Sequence, residues 1–495
     1  MLIEKYDVAI IGSGPAGYAA AILAADLNKK VCLIEKQAIG GAGIINGALT
    51  SKTLWQLSQD YSIAARTDRG YRASALNLEF SQVIKSVRDA AKQKIFQLKS
   101  QLVTYTNGTI GQGSIKLLQG IASFIDAHTL EVCTVRGCEK VSADYILIAT
   151  GSRPRLYEGL DIDHKHIITS DDILRLEKFP EKMIIVGSGI IGTEYATIFS
   201  NFAQTQVHLL DRQNRVIPFE DDDVSDFISK NLEQNSVIIH HQAKLKSIEK
   251  IDDSLEVILD FKDGRSQVFE ADLALISIGR VPNIEDLKIE NIGLQANENN
   301  YLITNDNLQI INNKGYNHIY AAGDVNGSTQ LYSVAEAQGR YAIKRMFQIT
   351  DEKLDYFNMP TLMFFKPELA AVGHNEKKLQ QNKIPYKAVF YSNSLINRAI
   401  SMKETNGFIK ILASNDGKER ILGMRAAGPQ ASAMIVAIAH LLNKPFGIKQ
   451  VLDTVYPHPS IPEGIQDCLR VLKNQSIYKP YIFPIDIYVK TWSPE

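Results

Sequence analysis

Tyr6-Asp7-Val8-Ala9-Ile10-Ile11-Gly12-Ser13-Gly14-Pro15-Ala16-Gly17 is the stretch that decides the fold of this 495-residue chain. The apolar run Val8–Ile11 predicts a buried strand, and the glycines at 12, 14 and 17 follow it without a spacer. A small-residue helix, Tyr18 to Leu27, comes next, then a second apolar strand, Val31 to Ile34, with Glu35 at its end. Residues 6–35 therefore read as one βαβ unit. Gly12 permits the tight turn, Gly14 lets backbone N–H groups approach a pyrophosphate, and Gly17 allows close helix–strand packing. Glu35 is placed to accept hydrogen bonds from a ribose hydroxyl pair. Three spaced glycines alone also describe a turn that binds nothing; strand, glycines, helix, strand and acid in that order are far more specific.

The pattern occurs a second time. Met183–Val186 runs into Gly187-Ser188-Gly189-Ile190-Ile191-Gly192, a helix follows through Glu194 and Tyr195, and Val207–Leu210 ends in Asp211. Two dinucleotide sites are expected, in an α/β chain with two Rossmann-like domains. An acid at the Asp211 position favours the free 2′-hydroxyl of NAD and disfavours the 2′-phosphate of NADP. Arg212 and Arg215 follow at once, which leaves NADP open as the less favoured ligand.

Working outward, residues 80–104 carry Phe80, Val83, Ile84, Val87, Ala90, Ala91, Ile95, Leu98 and Leu102 at helical spacing, a long amphipathic helix. Short β-like runs follow at 115–126, 129–135 and 145–149. The last ends in Ala149-Thr150-Gly151-Ser152-Arg153-Pro154, where a glycine allows a second backbone approach to a cofactor. Leu273–Ile278 leads into Gly279-Arg280, and a later segment ends Ile319-Tyr320-Ala321-Ala322-Gly323-Asp324. Residues 355–473 change texture: strand-like runs at 361–365, 387–391 and 407–413 alternate with helical ones at 376–381 and 430–443. The tail, 474–495, shows no clear period and supports no structural prediction.

Composition narrows the function. The length calls for two to four domains. Lys plus Arg number 54 against 55 Asp plus Glu, so nothing in the charge marks nucleic acid or an anionic membrane as partner. No apolar run reaches the roughly 18 residues that span a bilayer. The first strand begins almost at Met1, leaving no room for a signal peptide, and four cysteines suit a reducing cytoplasm rather than a disulfide framework. A cytoplasmic protein is expected, and no metal ligands are assigned.

Two GxGxxG units, Ala149-Thr150-Gly151-Ser152-x-Pro154 and Ile319 to Asp324 stand in the order of one family. With Pro367-Glu368-x4-Gly373 and His458-Pro459-x3-Glu463, the chain resembles the pyridine nucleotide–disulfide oxidoreductases over about residues 5–473. The resemblance implies an FAD-binding domain at 1–152 and 280–355, an NAD(P)-binding domain at 153–279, and a carboxy-terminal α+β dimerisation domain at 356–473, with 474–495 as a tail. It implies FAD at Gly12, Gly14, Gly17, Glu35, Lys52, Thr150, Gly151, Ser152 and Asp324, and a nicotinamide cofactor at Gly187, Gly189, Gly192, Asp211 and Gly279. It places Lys52 under the flavin, paired with Glu194. It also implies a homodimer, because half of the family's site comes from the neighbouring subunit. Gly192 to Phe199, Ser51 to Leu54 and Gln330 to Ser333 lean toward the soluble pyridine nucleotide transhydrogenases. His458 with Glu463 instead looks like the acid–base pair of the disulfide reductases, such as dihydrolipoamide dehydrogenase.

The family's redox loop has the pattern Gly-Gly-Thr-Cys-x4-Cys-x-Pro-Ser-Lys. Here it reads Gly40-Gly41-Ala42-Gly43-Ile44-Ile45-Asn46-Gly47-Ala48-Leu49-Thr50-Ser51-Lys52, with Gly43 and Ala48 at the cysteine positions. Reduction of a disulfide needs one thiolate to take electrons and another to attack the substrate, and this loop has neither. Hydride transfer from a nicotinamide to a flavin needs no cysteine. The expectation is a flavoprotein that oxidises NADH and passes electrons to a small, non-disulfide acceptor, a second pyridine nucleotide or a quinone. The alternative is a degenerate relative in which FAD is structural. His458 with Glu463 either protonates an acceptor or is a relic held by packing. Cys133 and Cys138 repeat the CX4C spacing of the lost pair, but Arg136-Gly137 reads as a hairpin turn, so they are taken as incidental hairpin residues, with a displaced redox centre as the alternative. Cys32 is expected in a buried strand and Cys468 on a late helix.

Overall fold

A computed structural model describes residues 4–72, 75–106 and 113–494. The chain divides into two compact units, one made of residues 1–181, 250–255 and 271–354, the other of 182–249, 256–270 and 355–495.

In the first unit, β1 (Glu4–Ile11), α1 (Pro15–Asp26) and β2 (Lys30–Glu35) form the expected βαβ unit, its strands parallel, with Val8 opposite Val31 and Ile11 opposite Ile34. After α2 (Ala42–Ile45), α3 (Ala48–Ala64) and α4 (Phe80–Thr106), β3 (Ser114–Gln119) adds on the outside of β2. β4 (Ile121–Asp126), β5 (Thr129–Thr134) and β6 (Gly137–Ile148) then form an antiparallel meander. β6 is longer than the run at 145–149 suggests. Its first half pairs with β5, and its second half enters the parallel sheet between β1 and the strand Ile319–Ala321. Only residues 146–148 are buried on both faces, so only that end reads as a continuous apolar run. The strand ends at Ile148, immediately before Thr150 and Gly151.

Helix α1 lies close on the sheet because its inward residues are Ala19, Ala20, Ala21, Ala24 and Ala25, all buried. On its other side runs the helix Tyr332–Met346, where a Cβ at Gly339 would stand 2.0 Å from the Ala16 carbonyl oxygen. Of the apolar positions spaced along α4, Ile84, Val87, Ala91, Leu98 and Leu102 are buried, while Phe80, Val83, Ala90 and Ile95 are half-buried. Each such large aliphatic side chain contributes about 1.5–3 kcal/mol by leaving water.

The second unit holds the parallel strands Lys182–Val186, Gln206–Leu210 and Ile238–His240, with the helix Ile190–Phe202 after the first. It also holds an antiparallel sheet ordered Thr361–Met363, Leu369–Gly373, Ile421–Ala427, Phe408–Ser414, Tyr386–Ser392 and Ile487–Trp492. The last strand comes from the tail that the sequence left without a prediction. Cross-strand aromatic pairs dock it: Tyr386 faces Trp492 with ring centroids 5.6 Å apart, and Phe390 faces Tyr488 at 4.8 Å. The helices Ala431–Ala439 and Glu463–Leu472 bury Met434, Ile435, Ile438, Ile465 and Leu469 with the sheet's Ile409 and Ile411.

Lys410, only 1% exposed, sits on this sheet with Asp221 at 3.0 Å, Asp223 at 2.7 Å and Glu376 at 2.5 Å. The three carboxylates are close enough together to hold a cation, and the lysine ammonium is that cation.

Candidate active site

The first glycine turn is shaped by contacts that leave no room for side chains. Gly12 has φ +101°, and a Cβ there would meet the Ala149 carbonyl oxygen at 2.3 Å; at Gly17 it would meet the Gly12 oxygen at 1.8 Å. Gly14 differs. It caps the N-terminus of α1, and a Cβ would meet nothing within 4 Å, so open space lies where an anion would face the helix amides. Gly151, with φ +68°, faces open space in the same way, and the buried Thr150 Oγ1 has no hydrogen-bond partner among the described residues.

Glu35 is buried, and its carboxylate braces the turn. Oε2 accepts from Ser13 N at 2.8 Å and Ser13 Oγ at 2.7 Å, while Oε1 accepts from Gln37 N at 2.8 Å. Two carboxylate oxygens offer about four acceptor sites, so capacity remains for a ribose hydroxyl. Opposite the turn, Ser152 Oγ donates to Asp324 Oδ2 at 2.5 Å, and Arg280 holds Ser152 through Nε to Oγ and Nη2 to the carbonyl, each at 2.7 Å. Gly279, before that arginine, has φ +114°, and its carbonyl accepts from Arg155 N at 2.9 Å. Burial pushes the Asp171 carboxyl up, opposed by the Arg280 charge, and Asn46 of the glycine-rich loop hydrogen-bonds to it. Arg280, Asp171 and Ser13 were not singled out by sequence; no spacing signals a contact made across three separate strand ends.

The loop at 40–52 packs directly on this cradle. Gly40 and Gly41 have φ +107° and +56°, and a Cβ at Gly41 would approach the Gly14 Cα to 2.9 Å. Gly43 lies on the one-turn helix α2, Ala48 opens α3, and Lys52 is partly buried on α3. The open faces at Gly14 and Gly151, the orphaned Thr150 hydroxyl and the braced acid fit an extended dinucleotide with an anionic bridge at α1.

In the second unit Gly187 has φ +113°, Gly189 caps the helix Ile190–Phe202 with open space beside it, and Gly192 is buried within that helix. Asp211 is not the free acid its position suggests. It is 1% exposed; Oδ1 accepts from Ser188 Oγ at 2.8 Å and Gln213 N at 2.9 Å, and Oδ2 lies 3.0 Å from His241 Nδ1. Arg215 turns away to Asp226 at 2.7 Å and Asp222 at 3.4 Å, leaving Arg212 exposed beside the strand end. Glu194 is buried, with Oε1 accepting from Phe364 N at 3.0 Å. His458 Nδ1 lies 2.8 Å from Glu463 Oε1, and Glu463 Oε2 accepts from Ser460 N at 2.7 Å. A carboxylate on Nδ1 fixes the ring and leaves Nε2 directed outward, on an imidazole whose side chain is 62% exposed.

The cysteines correct one expectation. Cys133 and Cys138 are not incidental: they form a disulfide across the β5–β6 hairpin, directly opposite each other in its register. The turn is Val135-Arg136, flanked by the pair Thr134 and Gly137, so the next residue out on each side is a cysteine. Equal offset from a two-residue turn puts the side chains on one face within bonding reach. Cys138 lies roughly 33 Å along β6 from Ile148, at about 3.3 Å per residue. Cys32 and Cys468 are buried, as expected.

Comparison with known proteins agrees with this geometry. The chain matches the pyridine nucleotide-disulphide oxidoreductase family over residues 6–339 and that family's dimerisation domain over 359–468. It is 30% identical to the dihydrolipoyl dehydrogenase of Bacillus subtilis over 492 residues, covering 96% of this chain and 100% of the relative. It is 35% identical to the soluble pyridine nucleotide transhydrogenase of Chromohalobacter salexigens over 475 residues, covering 94% and 97%. Among solved structures it is similar to LpdA from Mycobacterium tuberculosis, with TM-score 0.85, 25% identity and 95% and 100% of the two chains covered. It is likewise similar to the HOCl-induced flavoprotein disulfide reductase RclA from Escherichia coli, with TM-score 0.80, 25% identity and 94% and 100% covered. Among the described residues no helix is long and apolar enough to cross a membrane. Cradle, repeated glycine turns and full-length similarity agree, and the chain belongs to the pyridine nucleotide-disulphide oxidoreductases, as an FAD-dependent pyridine nucleotide oxidoreductase of that family.

Proposed function

We propose that this enzyme oxidises NADH through its flavin and hands the electrons to a non-disulfide acceptor. One observation carries the reading: both dinucleotide cradles keep their glycines and acids, while the loop that packs on the first has Gly43 and Ala48 where the family's thiols stand. Bound FAD would supply reversible two-electron chemistry. The chain's own residues have narrower tasks. Gly12, Gly14 and Gly17 shape the turn for the diphosphate, with α1 directing its N-terminus at the charge. Glu35 holds that turn through Ser13; Thr150, Gly151, Ser152 and Asp324 line the opposite side. Lys52 on α3 and Glu194 on the second helix are the charged groups assigned to the flavin and nicotinamide. Gly187, Gly189 and Gly192 receive the second dinucleotide, and Gly279 supplies a further backbone approach.

NADH is the favoured donor, because Asp211 keeps an acid beside the ribose even with its oxygens engaged. NADPH is a weaker donor, assisted by the exposed Arg212. His458 and Glu463 form the acid–base pair available to protonate an acceptor. The match to the dimerisation domain supports a homodimer; a monomer by light scattering at micromolar concentration would contradict that. Anaerobic mixing with NADH tests the central reading. Bleaching of the yellow flavin absorbance is expected; an unbleached spectrum at saturating NADH would leave FAD structural and the enzyme reading wrong.

A further inference from the structure

Gly43 and Tyr332 fit together as a small residue beneath a large one. A Cβ at position 43 would lie 2.7 and 2.9 Å from Cδ2 and Cε2 of Tyr332, and 3.1 Å from Pro15 Cγ. Carbon atoms in contact rest about 3.5–4.0 Å apart, so position 43 takes no side chain, cysteine included, while that ring stays. The ring is held at the start of the helix Tyr332–Met346, whose next residues, Val334 and Ala335, are buried in the core. It is itself 40% exposed, so part of its surface is open. Burial, then the charge of Glu336, raises the phenol above its ordinary value, and the group is a neutral O–H donor at neutral pH. Its hydroxyl makes no hydrogen bond among the described residues.

We infer that Tyr332 is the acceptor-contact residue: its ring fills the volume of the missing thiol, excludes disulfides from the loop, and stacks a planar quinone. The inference rests on the proposed NADH oxidation and names its acceptor class. A quinone suits the wall because it presents a flat π-surface to the tyrosine and carbonyl oxygens to the phenol. It also needs no thiolate to form a covalent intermediate. The overall reaction balances as NADH + H⁺ + quinone → NAD⁺ + hydroquinone. The nicotinamide C–H bond breaks, two O–H bonds form, the nicotinamide is oxidised by two electrons, and the second proton comes from solvent.

The test uses FAD-loaded wild type, Tyr332→Ala, Tyr332→Phe, Gly43→Cys and the double variant Gly43→Cys/Tyr332→Ala, with 2-methyl-1,4-naphthoquinone as probe. Calorimetric titration of the oxidised protein reads binding directly. The quinone Kd is expected to rise about tenfold in Tyr332→Ala, from the lost stacking and phenol contacts, and less in Tyr332→Phe, which keeps the ring. Steady state should show the same change in KM with kcat little altered. Thermal melts read the fit of the pair: Gly43→Cys lowers Tm, and removing the ring in the double variant recovers part of the loss. Equal quinone Kd in wild type and Tyr332→Ala would overturn the acceptor role, and strictly additive Tm changes would overturn the volume exchange. Failure of NADH to bleach the wild-type flavin would instead sink the proposed function, and the titration and melts separate that outcome from these two.

Discussion

Ser188 donates its hydroxyl to Asp211 Oδ1 at 2.8 Å, the counterpart of Ser13 donating to Glu35 Oε2 at 2.7 Å. In both repeats the middle residue of Gly-Ser-Gly is tied to the acid that ends the next strand. A buried carboxylate needs donors, and the serine supplies one while fixing the glycine turn. The strand-end acid thus braces the glycine turn from within in both repeats.

Removing either hydroxyl leaves a buried carboxylate short of a donor, at a cost of about 1–3 kcal/mol. Ser13→Ala is expected to release FAD at a lower temperature, read by flavin fluorescence during a melt, with little change in KM for NADH. Ser188→Ala should behave in reverse, raising that KM several-fold while the FAD release temperature holds. Equal effects on both readouts would show that the two turns do not act separately.

The engaged state of Asp211 bears on nucleotide choice. With its oxygens held by Ser188, Gln213 and His241, and Arg215 committed to Asp226, Arg212 is an exposed cation at the same strand end, beside the proposed ribose site. Arg212→Ala should lower kcat/KM for NADPH about tenfold, the scale of one charge-assisted phosphate contact, and leave NADH within twofold. Parallel losses for both donors would remove Arg212 from the discrimination.

Much of this was legible because backbone constraints leave marks in sequence. Gly12 and Gly17 are dictated by carbonyl oxygens that a Cβ there would meet at 2.3 and 1.8 Å, so the motif reports real geometry. The α4 stripe appears because its period matches one buried face. The tail was illegible since its strand buries only Ile487 and docks through Tyr488 and Trp492 on a distant partner. Tyr332 was invisible for a similar reason: nothing near residue 332 in sequence indicates that Gly43 lies under its ring. The disulfide is legible in the sequence, since both cysteines stand two places from the turn and so face each other in its register.

That disulfide gives a direct check. Alkylation followed by mass spectrometry, without reductant, should leave Cys133 and Cys138 unlabelled and find them linked in one peptide; after dithiothreitol both should label, since the hairpin tip is exposed. Cys133→Ala should leave the rate of NADH-driven flavin bleaching unchanged, given the length of β6 between the bond and the cradle. A slower rate in that variant would revive the displaced redox centre.

The Lys410 cluster links charge to stability. Lys410→Met keeps the volume but leaves Asp221, Asp223 and Glu376 facing one another without their cation. Stranding the buried Asp221 and Glu376 costs about 3–5 kcal/mol, with little added by the part-exposed Asp223, a Tm loss of several degrees at pH 7 by circular dichroism. The pH dependence has a definite sign. Burial opposes ionisation of Glu376, but Lys410 and the donors Tyr386 and Lys490 win, taking its carboxyl from 4.5 down to about 2. A group depressed in the folded state stabilises it above the unfolded value, and that stability is lost as pH falls from about 4.5 towards 2. Burial pushes Asp221 the opposite way, so its contribution offsets part of the loss rather than adding to it. In Lys410→Met, acid neutralises the repulsion instead. The stability gap between variant and wild type should therefore narrow as pH drops from 7 to 3, and a gap that widens would mean the lysine is not what holds these carboxylates charged.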